Sequence, residues 1–365
     1  MRPWEIQPEC YDELFARKWQ DVAERFAGAL SVPEPQAHRS PVDSYRVRAE
    51  FRIWHDGDAL DYVMFDSEAP RDPVVVRDFP PALAPIRERM EPLREALTGN
   101  RELRRKLFQV EFLASRDGDC VITLIYHRRL DEAWDAAARS LAEQLGAQLI
   151  GRSRKQKRIL FRDYVVERFA VGRRAYHYRQ YEQSFVQPNA PVNEQMLTWV
   201  WERSAHASGD LLELYCGNGN FTLPLADRHP NVIATELSKS GTRAANQNLE
   251  DNRVTNVAVV RLSAEEVSEA MAGAREFRRL AVLPRPLAAY ELTNVFVDPP
   301  RAGLDDATLA CVREFSRIVY ISCNPETLLD NLKRLAPTHT VGDLAFFDQF
   351  PYTPHLESGV VLEKR

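Results

Sequence analysis

The chemistry-bearing residues of this chain gather around one thiol. Residues 318–328 read IVYISCNPETL, an apolar strand that delivers Cys323 into an Asn324-Pro325 turn, and an earlier strand ends in Asp298-Pro299-Pro300-Arg301. A thiol at the mouth of a parallel sheet, beside a carboxylate at the end of a neighbouring strand, is placed for covalent attack on a bound ligand, the thiolate being the nucleophile. Free cysteines are ordinarily buried small hydrophobes, and Cys10, Cys120 and Cys311 are read that way, while Cys216 is explained as well by packing at a turn. Cys323 differs because a helix is expected from Glu326 to Leu332. The N-terminus of a helix favours an anion and is expected to draw the thiol below its usual pKa of about 8.5.

A second cluster lies in LLELYCGNGNF, residues 211–221. Gly217 and Gly219 permit the close backbone approach that a nucleotide-like cofactor needs, but the run lacks the third glycine of a dinucleotide fingerprint. Glu213 stands upstream in an acidic-x-x-x-Gly-x-Gly arrangement, and Glu236 ends the next strand, VIATE, where a carboxylate can accept hydrogen bonds from both hydroxyls of a ribose. Together these point to S-adenosylmethionine, with Asp298 supplying a further wall of the pocket.

These residues need a parallel sheet to bring them together. From about residue 181 onward, strand candidates LLELYC, VIATE, VAVVRL, NVFVD and IVYISC alternate with helical stretches, and DLAFFDQF and GVVLEKR follow. That alternation predicts a doubly wound, mostly parallel α/β sheet, whose ligands bind at the carboxyl ends of the strands. The preceding half is of mixed α/β character. YDELFARKWQDVAERFAGAL predicts a helix with Leu14, Trp19, Val22 and Phe26 on its apolar side. Tyr45, Val47, Ala49, Phe51 and Ile53 alternate with polar neighbours ahead of a hairpin at Asp56-Gly57, and LFQVEFLAS and CVITLIYH flank a second turn at Asp117-Gly118. With 365 residues the length suits two domains, set at 1–180 and 181–365.

Composition narrows the class further. A net charge of −5 argues against a polycationic nucleic-acid coat without excluding local patches. Five scattered cysteines with no close pair give no zinc or iron–sulfur signature, so no metal and no iron–sulfur cluster are expected and the thiols are expected to be reduced. There is no run of about 18 apolar residues and no signal-peptide core, so a cytoplasmic protein with no membrane partner is expected.

The strings LLELYCGNGNF, FVDPPRAGL, YISCNPETL and FDQFPYTPHLESGVV resemble the RNA 5-methyluridine methyltransferases, in particular the branch that acts on tRNA. SPVDSYRVRAEFRIWHDGD, KLFQVEF and SFVQPNAPVNEQML extend the resemblance over nearly the whole chain. It implies a Rossmann-like S-adenosylmethionine-dependent methyltransferase domain behind an N-terminal mixed α/β RNA-binding domain. The implied reaction is methylation of the T-loop uridine of tRNA, position 54, by a monomer, with other structured RNAs carrying a T-loop-like motif as further partners. Cys323 is then the nucleophile and Glu357 the proton acceptor, and the family positions carry Gln187, Tyr215, Asn220, Glu236 and Asp298 over as cofactor contacts. Arg301 would contact the target base or a phosphate, or make a structural salt bridge.

The RNA must be held as well. RELRRKLF, IYHRRL and GRSRKQKR place three basic runs in the first half of the chain, with Phe108 and His127 adjoining them at strand boundaries. Cations bind phosphates and rings stack on unpaired bases, so Phe108 and His127 are expected to contact the T loop. Two alternatives stand beside this function. A ribosomal or other RNA 5-methyluridine methyltransferase would generally add a cysteine cluster, which this chain lacks. An RNA-folding or binding factor with secondary catalysis would keep its effect after loss of Cys323.

Overall fold

The structure, a computed structural model, describes residues 5–66, 69–205 and 207–365. Tyr45, Val47, Ala49, Phe51 and Ile53 are all buried, as their alternation requires. They lead into a seven-stranded sheet in the order Pro73–Val75, Ala59–Phe65, Arg48–Asp56, Leu107–Ala114, Cys120–Tyr126, Gln148–Ser153, Gln156–Ile159. Its pairings are antiparallel except for Cys120–Tyr126 with Gln148–Ser153, which the Glu132–Leu145 helix connects as a crossover. That helix and Ala84–Gly99 cover the apolar face with Trp134, Ala138, Leu141, Ile86, Met90 and Leu93, while Arg48, Glu50 and Arg52 face away from this core. This unit comprises Pro41–Arg168 and Arg179–Ala190.

The second unit comprises Glu9–Ser40, Phe169–Tyr178 and Pro191–Arg365. The Tyr11–Ala29 helix thus counts with the parallel sheet, and it buries Tyr11, Phe15, Val22 and Phe26. Leu14 and Trp19, expected on the apolar side, are only half-buried at its margin, because Phe15 takes the inward position.

Eight strands form the second sheet, in the order Gln36–His38, His339–Phe347, Glu357–Lys364, Arg317–Ser322, Leu292–Val297, Asp210–Leu214, Val232–Thr235, Val257–Val260. The five strands from Arg317–Ser322 to Val257–Val260 are mutually parallel, and Glu357–Lys364 enters antiparallel between Arg317–Ser322 and His339–Phe347. Order reverses between Asp210–Leu214 and Leu292–Val297, so a crevice opens at the carboxyl ends of those two strands. The doubly wound, mostly parallel sheet expected for residues 181–365 is present, with one short strand, Gln36–His38, contributed from far upstream.

Candidate active site

Strand register builds the site. Val297 lies beside both Leu214 and Tyr320 in the parallel ladders, so the residues that follow these strands, Asp298, Tyr215 and Cys323, emerge at one edge of the sheet. From the opposite direction, Ser358 pairs with Ser322 in the last rung of an antiparallel ladder, so Glu357 and Cys323 each lie one residue beyond it. Glu357 is therefore the buried first residue of a strand, 4% exposed, and not part of a solvated loop.

Burial governs the ionisation of all three groups, and like charge adds to it at Glu357 and Cys323. Burial pushes the Glu357 carboxyl well above the usual carboxylate range, and the nearby Asp298 pushes it the same way while Arg301 opposes. Asp298 is held up to about 7 by its desolvated setting, although one edge of the residue still meets solvent. The Cys323 thiol is raised too, first by burial and then by Glu357 and Asp298, with Arg301 acting against them. This corrects the sequence expectation for the thiol. The Pro325–Leu335 helix does begin beside Cys323, with Asn324 as its cap accepting from the Glu326 N–H at 3.1 Å, but its favourable end is outweighed by two acids and a poorly hydrated pocket.

The loop after Asp298 is fastened to the helix after Cys323. Asn324 Nδ2 and Thr327 Oγ1 both donate to the Arg301 carbonyl at 3.2 Å, and Asn331 Oδ1 accepts from the Leu304 N–H and the Tyr320 hydroxyl at 2.9 and 2.8 Å. Gly303, at φ 77°, allows this close approach, since a Cβ there would stand 2.9 Å from Asn331 Oδ1. The exposed Arg301 guanidinium lies 3.4 to 3.5 Å from the ring nitrogens of His355.

The glycine loop makes a second cradle along the same edge. Gly217 and Gly219 take φ of 56° and 85°, and a Cβ on Gly217 would meet nothing within 4 Å. Tyr215 also has positive φ, 62°, a strained backbone for an aromatic residue, and burial pushes its hydroxyl up to about 12. Glu236 accepts from the Gly217 N–H at 3.1 Å and the Ser238 N–H at 2.6 Å and stays partly exposed, leaving carboxylate lone pairs for a ligand. Glu213 is fully buried, neither carboxylate oxygen makes a hydrogen bond of good geometry, and desolvation pushes it up to about 8 against the opposing pull of the nearby Thr222 hydroxyl. A buried acid with no cationic partner, four residues before Gly217, fits a ligand carrying positive charge. Asn220 exchanges a pair of 2.9 Å amide hydrogen bonds with Asn193. Gln187 belongs to the first unit, in the stretch between the Arg174–Tyr181 strand and the Ala190–Arg203 helix. Among the described residues no group of three or more His, Cys, Asp or Glu is arranged to hold a metal ion.

In the first unit, Phe108 sits at a register shift between Leu107 and Gln109, a bulge that re-aims a side chain out of the ladder. Its ring stacks on His127 at 4.1 Å between centroids, and the Arg52 guanidinium lies 3.8 Å from the same ring. A cavity of about 680 Å³ opens beside this stack, lined by His127, Arg129, Ser153, Arg154 and Lys155 among others. The basic runs are thinner than the sequence implied. Arg152 is bound to Glu182, Lys157 to Asp163 and Glu182, Arg158 to Asp135, Arg104 to Asp58, and Arg105 and Arg128 to Glu102. Arg129, Arg154 and Lys155 are exposed and make no ion pair among the described residues.

Residues 10–365 match the family model described as tRNA (Uracil-5-)-methyltransferase. The chain belongs to this family. A tRNA/tmRNA (uracil-C(5))-methyltransferase of Azoarcus sp. (strain BH72) is 53% identical over 98% of both chains, and one of Vibrio parahaemolyticus is 47% identical over the whole of both. The solved structure of a Pyrococcus abyssi tRNA (uracil-54, C5)-methyltransferase, in complex with S-adenosyl-L-homocysteine, shares the fold, with a TM-score of 0.73 at 21% identity over 96% of this chain and 83% of that one.

For a member of the tRNA (Uracil-5-)-methyltransferase family, the structure brings Cys323, Glu357, Asp298, Arg301, Tyr215, Asn220 and Glu236 into one unit, and Phe108 and His127 together in the other. Four residues went unnoticed in the sequence. Asn193 lies inside PVNEQML but carries no signal of its pairing with Asn220. Arg52 was counted only as a polar neighbour in an alternating strand. Lys18 and Asp348, a buried ion pair between the first helix and the loop that precedes Glu357, are separated by most of the chain. Their one available sign was a charged residue in the otherwise apolar run DLAFFDQF.

Proposed function

We propose that this chain methylates carbon 5 of the T-loop uridine of tRNA, and of the corresponding arm of tmRNA, in the cytoplasm, with Cys323 as nucleophile and Glu357 as proton acceptor. The observation that supports the proposal is that Cys323, Glu357 and Asp298 lie just past the paired ends of adjacent strands, close enough for both acids to act on the thiol. Carbon 5 of uracil is a poor nucleophile on its own. Addition of the Cys323 thiolate to carbon 6 moves electron density onto carbon 5 and oxygen 4, and carbon 5 then takes the methyl group. Tyr215, Asn220, Glu236 and Asp298 would hold S-adenosylmethionine, which would supply that methyl as an electrophile and leave as S-adenosylhomocysteine. Glu357 removes the proton left on carbon 5, and the bond from carbon 6 to sulfur breaks with its electron pair returning to Cys323.

The electrostatics support this order of events. After burial, the charge of Glu357 adds to the proton affinity of Cys323, so a thiolate forms most readily while Glu357 is neutral. Once sulfur is bonded to carbon 6 it carries no charge, and Glu357, after releasing its own proton to solvent, is the carboxylate that accepts the proton from carbon 5. Its buried setting makes it a stronger base than a solvated carboxylate. Arg301, the one cation that lowers the thiol pKa, is exposed beside His355 and is suited to the target base or its phosphate.

The first unit would hold the RNA. The His127–Phe108–Arg52 stack offers a ring edge for a loop base, and Arg129, Arg154 and Lys155 offer uncompensated charge for the backbone. The uridine must leave its stack to reach a thiol, at a cost of a few kcal/mol that these contacts offset.

Unmodified tRNA incubated with the protein and labelled S-adenosylmethionine, followed by nucleoside analysis, tests the proposal. 5-Methyluridine should form with the native protein and be absent with Cys323→Ala. Its formation at the native rate by Cys323→Ala would overturn the proposal.

A further inference from the structure

The loop from Asp348 to Leu356 leads directly into Glu357, and it has no strand or helix partner of its own across Thr353, Pro354 and His355, which are exposed. Its own turn bonds, from the Thr353 N–H and Oγ1 to the Phe350 carbonyl at 3.3 and 2.8 Å and from the His355 N–H to Thr353 Oγ1 at 3.2 Å, are tied to the first helix by one ammonium. Lys18, on the Tyr11–Ala29 helix, sends Nζ into the concave side of the loop, where it donates to the carbonyls of Phe350, Thr353 and His355 at 3.1, 3.2 and 3.1 Å and pairs with the carboxylate of Asp348. Three ammonium protons are thus shared among four oxygens of one loop. Asp348 is fully buried, and its other oxygen accepts from the Tyr11 hydroxyl at 2.8 Å, which in turn accepts from the Ser40 N–H at 2.8 Å. The Asp348 N–H donates to the His38 carbonyl at 2.9 Å. Tyr352, at φ 62°, sets its ring edge-on to Tyr11 at 5.8 Å.

A lysine whose side chain is 11% exposed loses much hydration, and desolvation is the largest influence on both Lys18 and Asp348. Such a pair stabilises a fold weakly compared with well-packed apolar residues. What it does supply is a fixed geometry, because carbonyl groups at three points of a short loop are made to converge. Loss of the ammonium would leave those carbonyls to turn toward solvent and loosen the segment that ends at Glu357. Cys323 is held separately, by its own strand and by the cap and hydrogen bonds of the Pro325–Leu335 helix.

We propose that Lys18 is a positioning residue for proton abstraction: by gathering the Asp348–His355 carbonyls it fixes Glu357 relative to carbon 5 of the target base. This rests on Glu357 as proton acceptor. It separates two halves of the reaction, since addition of Cys323 and methyl transfer do not use the loop, whereas removal of the proton does.

The experiment compares native protein, Lys18→Met, Lys18→Arg and Glu357→Gln with tRNA and S-adenosylmethionine, scoring the denaturation-resistant covalent protein–RNA adduct against released 5-methyluridine. Glu357→Gln should accumulate adduct with little release. Lys18→Met should shift the ratio of adduct to product at least tenfold toward adduct, with kcat falling more than KM changes, and Lys18→Arg should restore part of the release. Lys18→Met with the native ratio, while Glu357→Gln accumulates adduct, would overturn the role of Lys18 and leave Glu357 intact. Absence of adduct in Glu357→Gln itself would overturn both. If Lys18→Met does not fold, Asp348→Asn is scored in the same assay, and the native ratio there would overturn the proposal.

Discussion

Cys323 and Glu357 each lie one residue beyond the Ser322–Ser358 pair that ends an antiparallel ladder, and Glu357 is near enough to raise the Cys323 thiol further after burial. Burial raises the proton affinity of both groups, with Glu357 and Asp298 adding to it at Cys323 and Asp298 adding to it at Glu357. The consequences can be measured separately.

The thiol should behave as a weakly ionised group at neutral pH. Alkylation of Cys323 by iodoacetamide is expected to accelerate with pH and reach its midpoint above the ordinary thiol value of about 8.5. Glu357→Gln removes one negative charge and should lower the midpoint, while Arg301→Ala removes the cation that favours thiolate and should raise it. A midpoint below 8 in the native protein would contradict the electrostatic account.

Catalytic substitutions should separate by step. Cys323→Ser should abolish methylation to the limit of detection, because the hydroxyl is far less ionised than the thiol. Glu357→Gln should reduce product release by about 10²- to 10⁴-fold, the usual contribution of a positioned base. The measurement is single-turnover formation of 5-methyluridine with excess protein.

Glu213 makes stability depend on pH. Its pKa is raised in the folded chain to about 8 from an ordinary carboxylate value, so the folded state keeps a proton that the unfolded state releases. Stability from this group is full at acidic pH and falls as pH rises between the unfolded value, about 4.3, and about 8. Glu213→Gln should therefore melt at a temperature increasingly above the native protein across that window, with the difference levelling beyond it. A pH-independent difference in Tm would argue against a buried, unpaired acid.

Salt dependence should sort the cations of the first unit. Arg154→Ala and Lys155→Ala remove charges that have no internal partner and should each lower the slope of log affinity against log salt by about 1 if they meet phosphate. Arg158→Ala, whose guanidinium is held by Asp135, should leave the slope unchanged. Phe108→Ala should weaken tRNA binding by about 1–3 kcal/mol if its stack carries a base, measured by filter binding at fixed salt.

Much of this protein was determined by local sequence. The alternating apolar run from Tyr45 to Ile53, the glycines of the cofactor loop and the apolar strand before Cys323 each act through neighbours a few residues away, and each took the expected form. Motif strings likewise named Glu357, Asp298 and Glu236 as candidates. Only the tertiary structure decided how these groups ionise, because the helix end visible in the sequence was outweighed first by burial of the Cys323 thiol and then by two acids distant in sequence, Glu357 and Asp298. The same holds for the basic runs, where most cations are cancelled by acids distant in sequence, and for Lys18, which reaches Asp348 only because the first helix packs in the unit of the parallel sheet. Strand and helix formation is governed by short-range periodicity, whereas charge and hydrogen-bond partners are set by long-range proximity, which no stretch of residues encodes by itself.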